Sequence, residues 1–210
     1  MTTSLELLAT TAFIAVVSSA ISLILGYPVG NFLATLGAKS RGFLGALLVL
    51  PFLLPPFLIG ITLLPLRGDD LDSDLGILLI ISAHVVMNVG FVARIVASSQ
   101  LPLEQVEAAR LDGASNFLIR LRVSLPQQRA ALAAAGLLIA LYSATSYGLV
   151  ISLGQGVVAT LETEIAISSL RDLDLSRSFV LALLQTLLTL TLFVFAQRAG
   201  AKPTPVFGEV

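Results

Sequence analysis

No cysteine occurs in the 210 residues, and histidine occurs once. Disulfides and thiolate metal sites are therefore excluded, and a single imidazole builds no metal constellation. Charge is scarce as well: 12% of residues are charged and 56% hydrophobic, where a soluble domain carries roughly 25% charged residues. Such a chain is expected to be solvated mainly by lipid. Its net charge of −1 offers no basic face to a nucleic acid. Met1-Thr2-Thr3-Ser4 has no positive charge, so the N-terminus does not read as a cleaved signal peptide. The phosphate-cradling pattern Gly-x4-Gly-Lys-Ser/Thr is missing, since Gly37-Ala38-Lys39-Ser40 has the wrong residue before its lysine. Paired catalytic carboxylates and nucleophile–base sets are missing too. The chain is not expected to be an enzyme or to bind ATP, or any cofactor, itself.

What is present is a set of long uncharged runs, at 7–38, 42–66, 75–93, 130–161 and 178–197. A membrane helix needs about 20 mostly apolar residues, and no strand-like alternation suggests a closed barrel. The reading is an all-α membrane protein with one domain over 1–200 and five spans, near 10–36, 43–66, 75–98, 130–153 and 178–197, followed by a tail at 201–210.

Five spans place the termini on opposite sides, and the charges then sort. The face with the N-terminus and the loops 67–74 and 162–177 holds three basic and nine acidic residues. The other face holds nine basic and four acidic residues. Because basic residues stay cytoplasmic, the expectation is an N-terminus outside, with the C-terminus and the 94–129 segment inside. Gly26, Pro28 and Gly30 interrupt the first span, and Pro51, Pro55, Pro56 and Gly60 the second. They mean either close helix packing or kinked helices beside a path.

No charge sits deep in a span, and Arg94 near the end of the third can snorkel. Ion-coupled transport usually needs intramembrane ionisable groups. His84 and, one turn on, Asn88 serve packing or line a path. Uphill transport by such a chain needs energy from a partner.

The 101–126 segment reads as lying on the cytoplasmic face and opening with a short helix. Pro102 suits its first turn and Gly113 its end. Glu104 and Glu107 lie toward its positive pole and Arg110 toward its negative pole. A second short helix, near 115–124, leads into the fourth span, with Leu118 and Leu121 toward lipid and Arg120 and Arg122 toward phosphate or water.

Glu107-Ala108-Ala109, three residues, Gly113, nine residues, Val123, one residue, Leu125-Pro126 resembles the cytoplasmic signature of permease subunits of binding-protein-dependent ABC importers. Six of seven signature positions match, with Val123 in place of isoleucine. The resemblance implies a type I ABC importer permease core, similar to methionine importers, and a mechanism. The segment would be a coupling helix in a groove of an ATPase subunit, with Glu107, Ala108, Ala109, Asp112 and Gly113 in contact and Leu125 and Pro126 orienting the next span. Two ATPase subunits holding ATP and Mg2+, a second permease half (a like or unlike chain), an extracytoplasmic solute-binding protein and membrane lipid are the implied partners, in a bacterial inner membrane.

The stretches 83–88, 149–156, 159–166 and 182–185 further resemble the N-terminal half of thiamine permeases in the thiamine/iron(III) branch. That resemblance implies thiamine or a thiamine phosphate as solute, with iron(III) second. Such permeases usually fuse two halves, and this chain corresponds to one. Tyr142, Ser143, Thr145, Ser146 and Tyr147 put polar groups in the fourth span, where they serve interhelical hydrogen bonding or line a solute path with His84 and Asn88. The spacing of Leu161, Ile165, Ile167 and Leu170 predicts a short amphipathic helix on the outer face. A membrane scaffold or assembly protein without a transport path is the competing class.

Overall fold

The computed structural model describes residues 3–68 and 72–200. The tail at 201–210 and part of the 67–74 loop lie outside the described residues. Every element among those described is helical.

Helix α1 (Ser4–Ala34) starts earlier than hydropathy alone predicts, because a cap fixes it. The Thr3 amide donates to Glu6 Oε2 at 2.8 Å, and the Glu6 amide donates to Thr3 Oγ1 at 3.3 Å. Each side chain thus satisfies an otherwise free amide of the first turn. Thirty-one residues reach about 46 Å, more than the hydrocarbon needs. Pro28 does not break α1. Gly26 and Gly30 flank it and are both clamped against α4.

The second apolar run is broken. Helices α2 (Ala38–Leu53) and α3 (Pro56–Arg67) meet at 84°. Pro55 and Pro56 supply no amide to carry the ladder across the corner, and Pro56 suits the first position of the new helix. Helix α4 (Ser73–Ser98) is continuous. After it come α5 (Leu103–Leu111), α6 (Asn116–Ile119) and a π-helical turn, Arg120–Ser124, that runs straight into α7 (Leu125–Ala144). Helix α8 (Tyr147–Gly154) leaves the Asn116–Ala144 axis at 52°. Then follow α9 (Leu161–Ala166), a second π turn (Ile167–Arg171) and α10 (Leu175–Gly200). Among the described residues α1, α4 and α10 are each long and apolar enough to cross a membrane, and the number rises to five when each bent pair is counted as one span.

Helix α4 is the centre of the bundle, with α1, α2, α7 and α8 packed around it. A Cβ on Gly26 would come 2.5 Å from Val92 Cβ, and one on Gly30 would come 2.6 Å from Val96 Cβ. Both helices advance four residues between these contacts, so α1 and α4 run parallel. The same spacing carries the seam back through Ser22 and Ser18 on α1 and Asn88 and His84 on α4, all buried. Small residues let the two backbones meet closely. Gly90 does the same for α2, since a Cβ there would strike the Leu48 carbonyl oxygen.

The main apolar core lies beside this seam, around Ile14, Ile80, Met87, Leu149 and Leu153. A smaller one joins Leu7, Leu161 and Leu181 at the end of the bundle where α1 begins. There Thr11 Oγ1 accepts from the Leu161 amide at 2.9 Å, and Arg177 pairs with Glu164 at 2.6 Å. Helix α9 and its π turn occupy the place of the expected amphipathic element, with Leu161 buried and Leu170 exposed. Arg67 departs from its expectation as a solvated loop charge. It is 2% exposed at the end of α3, donating from Nη2 to the Asp72 carbonyl oxygen at 3.1 Å, and its guanidinium lies against Gly76. A residue without a side chain leaves room for it there. Outward, the long helices show large apolar side chains such as Ile24, Phe43, Leu53 and Phe179, the surface of a protein dissolved in lipid rather than water.

Candidate functional site

Two places gather the residues singled out by sequence. The first is α5, at the end of the bundle formed by the last turns of α1 and α4 and the first turns of α2 and α7. None of its nine residues is buried. Leu103 is 68% exposed and Leu111 89%, although each is apolar. Glu107 and Ala108 are exposed and Ala109 is half-buried.

The exit from α5 is tightly defined. The Gly113 amide donates to the Arg110 carbonyl at 2.9 Å, and the Ala114 amide to the Ala109 carbonyl at 3.0 Å. This paired closure requires a left-handed residue, and Gly113 has φ +80°. No atom lies within 4 Å of where its Cβ would be, so the backbone angle, not crowding, demands glycine. Asp112 caps the helix, exposed. Ser115 opens α6 by accepting from the Leu118 amide at 3.3 Å. Leu125 and Pro126 are half-buried in the first turn of α7. Buried Gln128 donates from Nε2 to the Ser99 carbonyl at 2.9 Å, and Gln127 bonds Gln105 at 3.1 Å. These two glutamines tie the base of α7 to Ser99, ahead of α5, and to Gln105 in the first turn of α5.

The second place lies where the two bent spans face each other. A cleft of about 270 Å3 opens between the α2–α3 corner, at Pro55, Pro56 and Phe57, and the α7–α8 corner, at Tyr142, Thr145, Ser146 and Tyr147. Below it α3 and α8 are in close contact. A Cβ on Gly148 would come 2.9 Å from the Phe57 amide nitrogen, and one on Gly60 would overlap Ser152. Tyr142 leans on Phe52 with ring centres 5.7 Å apart, and Phe52 stacks on Phe91 at 4.9 Å. An aromatic row thus joins α7, α2 and α4. At the α7 corner Thr145 Oγ1 donates to the Leu141 carbonyl at 3.0 Å. Such back-bonding to the preceding turn competes with the helical ladder and favours a bend.

The residues proposed from sequence for a solute path therefore divide. Tyr142, Thr145 and Ser146 share the cleft. Ser143 is buried and does not line it. His84 and Asn88 belong to the α1-facing stripe of α4. His84 Nδ1 lies 2.9 Å from the Ile80 carbonyl oxygen, and Asn88 Nδ2 donates to the His84 carbonyl at 2.7 Å. Pro55, Pro56, Phe57 and Gly148 complete the cleft, and sequence reasoning did not group them with the tyrosines. The available signal was two interrupted apolar runs, one with a proline pair and one with a hydroxyl-rich stretch. Among the described residues no three histidine, aspartate or glutamate side chains gather as a metal site.

Comparison with solved structures finds the same fold. A chain of the MetNI methionine ABC transporter, in inward-facing conformations, superposes with a TM-score of 0.76 at 19% identity, over 92% of this chain and 93% of that one. A chain of a bacterial ABC transporter that imports the acidic polysaccharide alginate gives 0.63 at 14% identity, over 91% and 78%. The alginate transporter in complex with an alginate pentasaccharide-bound periplasmic protein gives 0.68 at 15% identity, over 95% and 81%. Comparison with curated protein sequences gives no significant match. Residues 22–202 match the family described as binding-protein-dependent transport system inner membrane component. A match across that much of the chain, on a fold of apolar helices, shows that this protein belongs to that family, the multi-pass membrane permease subunits of ABC importers.

Proposed function

We propose that α5 is the element through which an ATPase drives this permease. The observation that carries the reading is a nine-residue helix with a fixed exit and no buried residue. Among the described residues nothing covers apolar Leu103 and Leu111. Glu107, Ala108, Ala109, Asp112 and Gly113 form the face toward the ATPase, and Leu125 and Pro126 set the direction of α7. ATP and Mg2+ belong to the ATPase. Two such subunits, a second permease half and a solute-binding protein complete the transporter, and the alginate importer with its periplasmic protein supports the last of these. Basic residues concentrated on the α5 end support an N-terminus outside and α5 in the cytoplasm.

The solute passes the cleft between the two corners. Phe57, Tyr142 and Tyr147 with two hydroxyl side chains form an aromatic and weakly polar lining. That chemistry suits an organic cation, which aromatic faces attract, and so favours thiamine or a thiamine phosphate. Iron(III) would prefer carboxylate or phenolate clusters.

Because the chain has no cysteine, a Glu107→Cys variant carries one thiol. A membrane-impermeant maleimide should label it in inverted vesicles stripped of ATPase, and not in intact cells. Restoring the ATPase should protect it. Labelling of intact cells from outside would dispose of both the orientation and the role of α5.

A further inference from the structure

Arg41 and Arg94 line one cleft, and neither side chain has a hydrogen bond or ion pair among the described residues. The cleft measures about 510 Å3 and lies between the last turns of α1 and α4 and the first two turns of α2. Leu33, Gly42, Gly45 and Ala97 form its walls, and none of its lining residues is acidic. Two guanidinium groups that share a concavity repel each other unless an anion sits between them, and planar guanidinium forks match phosphate oxygens well.

The depth of the pair points to the source of that anion. Arg94 sits one turn inside the end of α4, and Arg41 is in the first turn of α2. Both therefore lie at the level where apolar helices give way to the polar zone, while α5 projects beyond it. Immediately along α2 the side chains become apolar and outward-facing, with Phe43 70% exposed and Leu47 50%. A ligand with an anionic head and a hydrocarbon tail meets both halves of this surface, and a soluble anion meets only one.

We propose that this cleft binds the phosphate of an anionic phospholipid, held by Arg41 and Arg94, with its acyl chains along Phe43 and Leu47. Basic pockets between membrane helices near the headgroup level take anionic lipids in this way. The site is separate from the α5 surface and does not depend on the identity of the solute.

Native mass spectrometry of the full permease, purified with whatever subunits accompany it, tests the proposal. Micelles would contain equal amounts of dioleoyl phosphatidylglycerol and dioleoyl phosphatidylcholine. The wild-type protein should retain phosphatidylglycerol preferentially, and millimolar inorganic phosphate should not displace it. The double variant Arg41→Gln/Arg94→Gln should lower that preference by about tenfold or more. Gly42→Leu keeps both arginines and projects into open space, since nothing lies within 4 Å of the Gly42 Cβ position. By filling the cleft it should lower the preference as well. Lys39→Gln removes a neighbouring charge outside the cleft and should leave the preference in place. Equal retention of the two lipids by the wild-type protein overturns the proposal without any variant. Displacement by inorganic phosphate would reassign the cleft to a soluble anion. A Lys39→Gln loss as large as that of the double variant would reduce the effect to diffuse surface charge.

Discussion

Ala108→Glu separates the stability of this chain from its coupling to an ATPase. Ala108 is exposed on a helix with no buried residue, so the new carboxylate meets water in the permease alone. It would stand four residues after Glu104 and four before Asp112. Each like-charge pair at that spacing costs about 0.2–0.5 kcal/mol, so the permease should lose less than about 1 kcal/mol. Its thermal unfolding midpoint in detergent should fall by a few degrees at most. On the proposed role of α5, the same side chain would be pressed against the ATPase at a contact fitted to a small alanine, where it has no partner. An unpaired carboxylate in such a place costs about 3 kcal/mol or more, equivalent to at least a hundredfold in association. Copurification of the ATPase should be lost, and ATP-driven uptake into proteoliposomes with it. Ala108→Ser, small and neutral, should keep both. Retention of the ATPase and near-normal uptake by Ala108→Glu would refute the assignment of α5.

Gly90→Ala should destabilise the bundle by about 1–3 kcal/mol, because the obstructing atom is the Leu48 carbonyl oxygen, a backbone group that does not swing aside. Gly42→Ala in α2 meets nothing within 4 Å and should be neutral or stabilising by up to about 1 kcal/mol; unfolding midpoints compare the two. Gln128→Leu removes the donor to the Ser99 carbonyl at 2.9 Å. It should cost about 1–2 kcal/mol and speed amide exchange over residues 99–105. Tyr147→Ala combined with Thr145→Val should raise the KM for uptake severalfold while the ATPase still copurifies; an unchanged KM would remove the cleft from the solute route.

Much of this architecture can be read from residue order alone. Uncharged runs mark α1, the α2–α3 pair, α4, the α7–α8 pair and α10, because a helix in lipid tolerates few charges along its length. The corner at Pro55-Pro56 is legible, since two missing amides leave little alternative. The turn after α5 is legible too, through Gly113. The corner at Thr145 is not. It arises from hydroxyl back-bonding and from the contacts of Gly148 with Phe57, and neither leaves a hydropathy signal. Pro28 misleads in the opposite sense, because Gly26 and Gly30 bind both sides of it to α4. Arg67 reads as a loop charge only because sequence does not reveal the space above Gly76. For the cleft, residue types identify Tyr142, Thr145 and Ser146, but only the meeting of two bent helices adds Pro55, Pro56 and Phe57.

The parallel seam of α1 and α4 has a mechanical consequence. At Gly26 and Gly30 there is no space for even one methyl group, so neither helix slides along the other without climbing over Val92 and Val96. The pair behaves as a doubled strut, stiffer than either rod alone. Only 99–102 separate the last residue of α4 from the first of α5. On the proposed role of α5, a push on it would therefore reach the far end of the strut as rigid displacement, leaving the compliance of the molecule to the two corners.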